Sequence, residues 1–147
     1  MILADAEATE AAGRTLAPTL RAGDVIALSG ALGVGKTCFA RGVLAGLGLE
    51  GEAPSPSYAL VIPYMVPAVD LPVWHVDLYR LETAAEADEL GLDDALADAV
   101  LLIEWPERLG DRLWPDALKI KLEDIGEAGR RLTVSVPPSW EARCPFR

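Results

Sequence analysis

Residues 30–37 read Gly30-Ala31-Leu32-Gly33-Val34-Gly35-Lys36-Thr37, and this octet restricts the fold more sharply than any other stretch. Its spacing is G-x-x-x-x-G-K-[ST], which carries meaning when a strand precedes it and a helix follows. Both are present. Val25-Ile26-Ala27-Leu28 is an uninterrupted apolar run, as expected of a strand covered on both faces. A helix is predicted from Lys36 to Leu47, closed by Gly46 and Gly48. Glycines in the loop let the backbone take positive φ and approach a ligand without a Cβ in the way. Successive N–H groups at a helix N-terminus then form a nest for an anion, which the helix dipole also favours. The pattern therefore predicts a nucleotide site, with Lys36 reaching the β- and γ-phosphates and the Thr37 hydroxyl on Mg²⁺.

Such a loop also needs an acid near the metal, usually at the end of an apolar strand. Two positions qualify. Glu104 closes Val100-Leu101-Leu102-Ile103, and Asp77 lies in Trp74-His75-Val76-Asp77-Leu78-Tyr79-Arg80. Strand alternation places His75, Asp77 and Tyr79 on one face. His75 itself reads as a core or edge histidine bonded locally.

The remaining elements interleave. Residues 5–20 read as a helix loosened by Pro18, and Tyr58–Tyr64 with Val73–Tyr79 read as a hairpin. Residues 83–98 read as helix broken at Gly91, and Leu118–Leu122 with Leu132–Val136 as two alternating strands. Alternation of strands and helices predicts an α/β fold: three layers, P-loop NTPase-like, around a mixed, partly antiparallel sheet. At 147 residues the chain is expected to form one domain, 1–147.

Composition narrows the partners. A hydrophobic fraction of 51% supports a real core, and a net charge of −10 argues against nonspecific binding to a phosphate backbone. Lys119, Lys121, Arg130 and Arg131 are the local exception, suited at most to a minor nucleic-acid contact inside a complex. From Glu82 to Glu107 there are nine acids and no base, either a solvated helix face or a docking surface for a basic partner. Two isolated cysteines, an acidic N-terminus and no long apolar run predict a cytoplasmic protein without disulfides or membrane spans.

The P-loop, Ser55-Pro56-Ser57-Tyr58, His75-x-Asp77-x-Tyr79-Arg80, Glu89-Leu90-Gly91-Leu92 and Ile103-Glu104-Trp105-Pro106-Glu107-Arg108 occur in this order at these spacings. Together they closely resemble the bacterial TsaE (YjeE) family of small P-loop ATPases, over roughly residues 5–136. The resemblance implies a Mg²⁺-dependent ATPase required for tRNA N6-threonylcarbamoyladenosine modification. Such a protein docks on the transferase TsaD and its companion TsaB, hydrolyses ATP and resets that complex. By position, Leu32, Gly33, Val34, Gly35, Lys36, Thr37 and Cys38 surround the phosphates, while Thr9 and Arg130 lie near the base and ribose. Thr37 and Glu104 hold the metal, and Lys36, Asp77 and Glu104 serve catalysis, Asp77 from the second shell or by ordering the attacking water. Ser55, Ser57 and Tyr58 form a switch segment, and Trp105 reports nucleotide state. ATP over GTP follows from the resemblance, as no N-K-x-D pattern is present.

Three positions depart from the family pattern. Ala31 stands where an acid is common, Ser57 where Thr is usual in the switch, and Cys38 where Thr is usual. A thiol at a helix N-terminus is expected to have a lowered pKa and to be prone to oxidation. No arginine finger is evident beyond Arg80 and Arg108, so weak activity raised by a partner is expected. Two other readings use the same loop: a small-molecule kinase, and a nucleotide-binding module without hydrolysis. The acidic, base-free 82–107 region suits the kinase poorly, because a lid over anionic substrates needs arginine.

Overall fold

The computed structural model describes residues 1–56 and 60–146. Its described strands form one seven-stranded sheet. They are β1 (Ile2–Leu3), β2 (Val25–Ser29), β3 (Val61–Tyr64), β4 (Val73–Asp77), β5 (Val100–Glu104), β6 (Leu118–Asp124) and β7 (Arg130–Ser135). Their order across the sheet is β1-β7-β6-β2-β5-β4-β3. The uniformly apolar runs take the centre: β2 and β5 are parallel neighbours, with β6 parallel to β2 and β4 parallel to β5. Both ends are antiparallel, β3 against β4 and the β6–β7–β1 meander. The sheet is mixed, as its sequence predicts. The hairpin expected from Tyr58–Tyr64 and Val73–Tyr79 forms between Val61–Tyr64 and Val73–Asp77, residues 57–59 lying outside the described ones. The two alternating strands pair with each other as β6 and β7.

Alternation along the central strands divides the core between two faces. Ile26 and Leu28 turn to one side with Leu102, Leu118 and Ile120, and meet α1 (Ala6–Leu16) and α2 (Lys36–Gly46). Val25 and Ala27 turn to the other with Leu101 and Ile103, and meet the shorter segments of the acidic region. The three-layer arrangement follows. The helix pair packs unusually closely. A Cβ on Gly13 of α1 would strike the Phe39 carbonyl oxygen and lie 2.8 Å from the Val43 nitrogen. One on Gly42 of α2 would strike the Glu10 carbonyl oxygen.

The elements depart from expectation mainly in their ends. Asp5 caps α1, its carboxylate accepting from the Ala8 amide, and α1 stops at Leu16, giving way to a 3-10 turn at Ala17–Thr19 that holds Pro18. The helix expected over 83–98 is instead a 3-10 segment, Ala84–Leu90, and a single α turn, α3 (Leu92–Ala95), joined at Gly91 with φ 72°. Thr83 and Glu86 form a reciprocal capping box at its start. The strand expected to run to Tyr79 ends at Asp77, because Asp77 Oδ1 accepts the Tyr79 amide at 2.9 Å and turns the chain. Tyr79 therefore does not share the strand face of His75 and Asp77. β1, only two residues long, has no counterpart in the sequence reading. Arg143 fastens the C-terminal segment, with a forked contact to Asp24 at 2.6 and 2.7 Å and its guanidinium 3.7 Å above the Trp140 ring.

Candidate functional site

Parallel strands bring their carboxyl ends to one edge, and in α/β sheets that edge is where ligands bind. Here β2, β5 and β4 end side by side. Leu28 is opposite Glu104, and Glu104 is opposite Asp77. The loop 30–35 leaves β2 at this edge and enters α2 at Lys36. Gly35 precedes the helix at φ 114°, a conformation that suits glycine and aims the first amides of α2 into the cleft. Leu32, Gly33, Gly35, Lys36, Thr37, Cys38, Ser55, Asp77, Glu104 and Trp105 line a cleft of about 390 Å³.

Three of its polar side chains are withdrawn from solvent: Lys36 is 4% exposed, Asp77 6% and Glu104 3%. The Thr37 hydroxyl lies 3.1 and 3.0 Å from the two carboxylate oxygens of Glu104, residues 67 positions apart in the chain. A Mg²⁺ ion takes one or two carboxylates with phosphate oxygens rather than an all-protein cage. The paired Thr37 hydroxyl and Glu104 carboxylate fit that demand. The backbone nest beside them fits a polyphosphate.

Lys36 donates to the Gly30 carbonyl at 2.6 Å, and its ammonium sits 3.5 Å from the Trp105 ring centroid. Burial pushes its pKa down, against the carboxylates of Glu104, Glu107 and Asp77, which pull it up. Trp105 reaches it from a left-handed backbone, φ 60° and ψ 50°, uncommon for a bulky residue. Tyr79 continues the stack at 4.9 Å from Trp105, with Arg108 5.8 Å from the Tyr79 ring.

Beside this cleft lies a second, of about 430 Å³, lined by Thr9, Val34, Cys38, Glu127 and Arg130 among others. The two share Gly33, Gly35 and Cys38. Arg130 donates to the Val34 carbonyl at 2.8 Å, tying β7 to the loop, and Thr9 donates to Asp5 from α1. A nucleoside attached to the phosphates has room here.

The residues singled out by sequence are thus gathered around two adjoining clefts. Ser57 and Tyr58 lie outside the described residues, while Ser55 reaches the first cleft. Cys38 requires correction. Burial and the nearby Glu10 carboxylate raise its thiol pKa, and its Sγ donates to the Ala6 carbonyl, so the expected lowering at the helix N-terminus is overridden. His75 departs from the local bonding expected of it. It is fully buried, and its Nε2 lies 2.7 Å from Glu104 Oε2, a long-range contact rather than a local one. Its shared face with Asp77 was the available sign, but the pairing of β4 with β5 supplies the partner.

Among known proteins, residues 3–132 match the family described as "Threonylcarbamoyl adenosine biosynthesis protein TsaE". A Streptomyces coelicolor tRNA threonylcarbamoyladenosine biosynthesis protein TsaE is 38% identical over 128 residues, covering 84% of this chain and 86% of that one. The Bacillus subtilis protein of the same name is 34% identical over 140 residues, covering 94% and 86%. The crystal structure of Bacillus subtilis YdiB superposes with a TM-score of 0.77 at 29% identity, covering 94% of this chain and 85% of that one. With the strand-ended acids, the loop and the sheet order on one scaffold, and similarity running nearly end to end, the chain belongs to the TsaE family.

Proposed function

We propose that this protein is a Mg²⁺-dependent ATPase that serves bacterial tRNA threonylcarbamoyladenosine modification in the cytoplasm. It docks on the transferase TsaD with its companion TsaB and resets that complex at the expense of ATP. The observation that carries this reading is the convergence of Thr37 and Glu104, a hydroxyl and a buried carboxylate at about 3 Å beside a glycine nest.

Phosphoryl transfer to water depends on positioning and charge neutralisation more than on covalent help. When bound, Mg²⁺ supplies charge neutralisation at the transferring phosphoryl group. The amides of Gly33, Gly35 and Lys36 orient the phosphates, and Lys36 exchanges its contact with Gly30 for a phosphate oxygen. Asp77, opposite Glu104 in register, acts from the second shell of the metal or orders the attacking water, and the clefts' shared wall holds the nucleoside toward Thr9 and Arg130. Arg108 rests against Tyr79, and no arginine is among the described residues lining the phosphate cleft. Slow turnover in isolation follows, with a missing cation supplied by the partner complex.

The test is release of inorganic phosphate from ATP by the purified chain, alone and with TsaD and TsaB. Slow hydrolysis that rises with the partners supports the proposal. ATP-dependent phosphorylation of a small molecule supports a kinase instead, and binding without turnover supports a nucleotide-holding module.

A further inference from the structure

His75 sits in the middle of β4 with its side chain 0% exposed. Among the described residues its polar contact is Nε2 to Glu104 Oε2 at 2.7 Å, while its buried Nδ1 has no hydrogen-bond partner. With the Glu104 carboxylate acting as acceptor here, as it does toward the Thr37 hydroxyl, the ring proton in this contact sits on Nε2. The other tautomer would bury an unsatisfied N–H and turn a lone pair on the carboxylate, both unfavourable. A histidine serving only to pack would gain as much from a nearby backbone carbonyl. This one directs its single bond to the acid that closes β5. Glu104 Oε2 is therefore held by His75 at 2.7 Å, while the Thr37 hydroxyl lies 3.1 Å from Oε1 and 3.0 Å from Oε2.

We infer that His75 is a positioning residue for Glu104. Its Nε2–H fixes Oε2 and with it the orientation of the carboxylate, so that the group is presented beside the Thr37 hydroxyl to a divalent cation. The inference rests on the nucleotide-site reading above. Outer partners of metal-ligating groups typically govern about 10–100-fold in metal affinity.

Two amide substitutions separate positioning from packing. In His75→Gln the amide nitrogen falls near the place of Nε2, and in His75→Asn near that of Nδ1, so only the former reaches Glu104. Binding of mant-ATP is followed by fluorescence as Mg²⁺ is raised, and separately in EDTA. Expected is a rise of about 10–100-fold in the Mg²⁺ needed by H75N, recovery toward wild type in H75Q, and equal affinities for all three in EDTA. An H75N variant with wild-type Mg²⁺ dependence, or equal impairment of H75N and H75Q, overturns the inference. Failure of the wild type itself to bind mant-ATP overturns the nucleotide reading, and is recognised because it precedes any variant. A second measurement needs no substitution. The chain holds one histidine, so its ring ¹⁵N signals belong to His75 without assignment. Long-range ¹H–¹⁵N correlation should show an Nε2-protonated ring whose proton exchanges slowly. An Nδ1-protonated ring, or a proton exchanging at solvent rates, overturns the inference even where neither variant folds.

Discussion

Replacing Gly42 by alanine sets two effects of opposite sign against each other. Alanine is the better helix former by about 1 kcal/mol, and on propensity alone α2 would gain stability. The crossing of α1 and α2 reverses that. The new methyl would collide with the Glu10 carbonyl oxygen and come within 2.8 Å of its carbon and 3.0 Å of its Cα. All three atoms are backbone, so no rotamer change gives relief and the helices must separate. Leu16, Phe39, Val43 and Leu44, all 0% exposed, then lose contact with the sheet. Overpacking of this kind costs up to about 3 kcal/mol and occasionally more. Backbone against backbone belongs at the upper end, so the net loss after the propensity gain is about 2 kcal/mol. For a chain of this length that corresponds to a fall in Tm of about 4–8 °C. Urea denaturation followed by circular dichroism reads the change as a lower midpoint at unchanged slope. Equal or greater stability in the Gly42→Ala protein would refute the close-crossing explanation.

Three further outcomes can be checked. Lys36→Ala should abolish mant-ATP binding while the circular dichroism spectrum and cooperative melting persist, since the ammonium's contacts with the Gly30 carbonyl and the Trp105 ring lie at the cleft and the central strands pack without them. Iodoacetamide should label Cys38 more slowly in the folded protein than in urea at pH 8, because burial raises its thiol pKa and lowers the thiolate fraction, and equal rates would contradict this. Asp24→Asn leaves the Arg143 guanidinium without its counter-ion over Trp140, and should cost about 3 kcal/mol in urea denaturation, the lower end for a buried pair because Arg143 keeps some contact with water.

Local chemistry made much of the fold legible. Val25–Leu28 and Val100–Ile103 are apolar at every position, and they occupy the two central parallel strands where both faces are covered. Leu118–Leu122 alternates, and its lysines face outward from the meander. What failed to show depends on contacts distant in sequence. β1 is two residues long, too short for any period, and exists because Ile2 and Leu3 find Arg131 and Arg130. The acidic segment has helical composition, a capping box and the expected break at Gly91, yet Ala84–Leu90 winds as 3-10 rather than α beside the core formed by Leu92, Leu101 and Ile103. In the site, the loop and its threonine are a contiguous motif, and the two strand-end acids could be named as candidates. The bond from His75 to Glu104 could not, because it is set by the alignment of β4 with β5. Nor could the placement of the Trp105 ring on Lys36, which follows from a left-handed turn at a residue that rarely adopts one.

The central claim is that the cleft at the ends of β2, β4 and β5 turns over ATP in the service of a partner complex. Phosphate release measured with the chain alone, then with TsaD and TsaB, tests it most directly. The account predicts a slow, Mg²⁺-dependent rate that rises sharply on addition of the two proteins and vanishes in Lys36→Ala. A rate indifferent to the partners, or turnover that survives loss of Lys36, would contradict it.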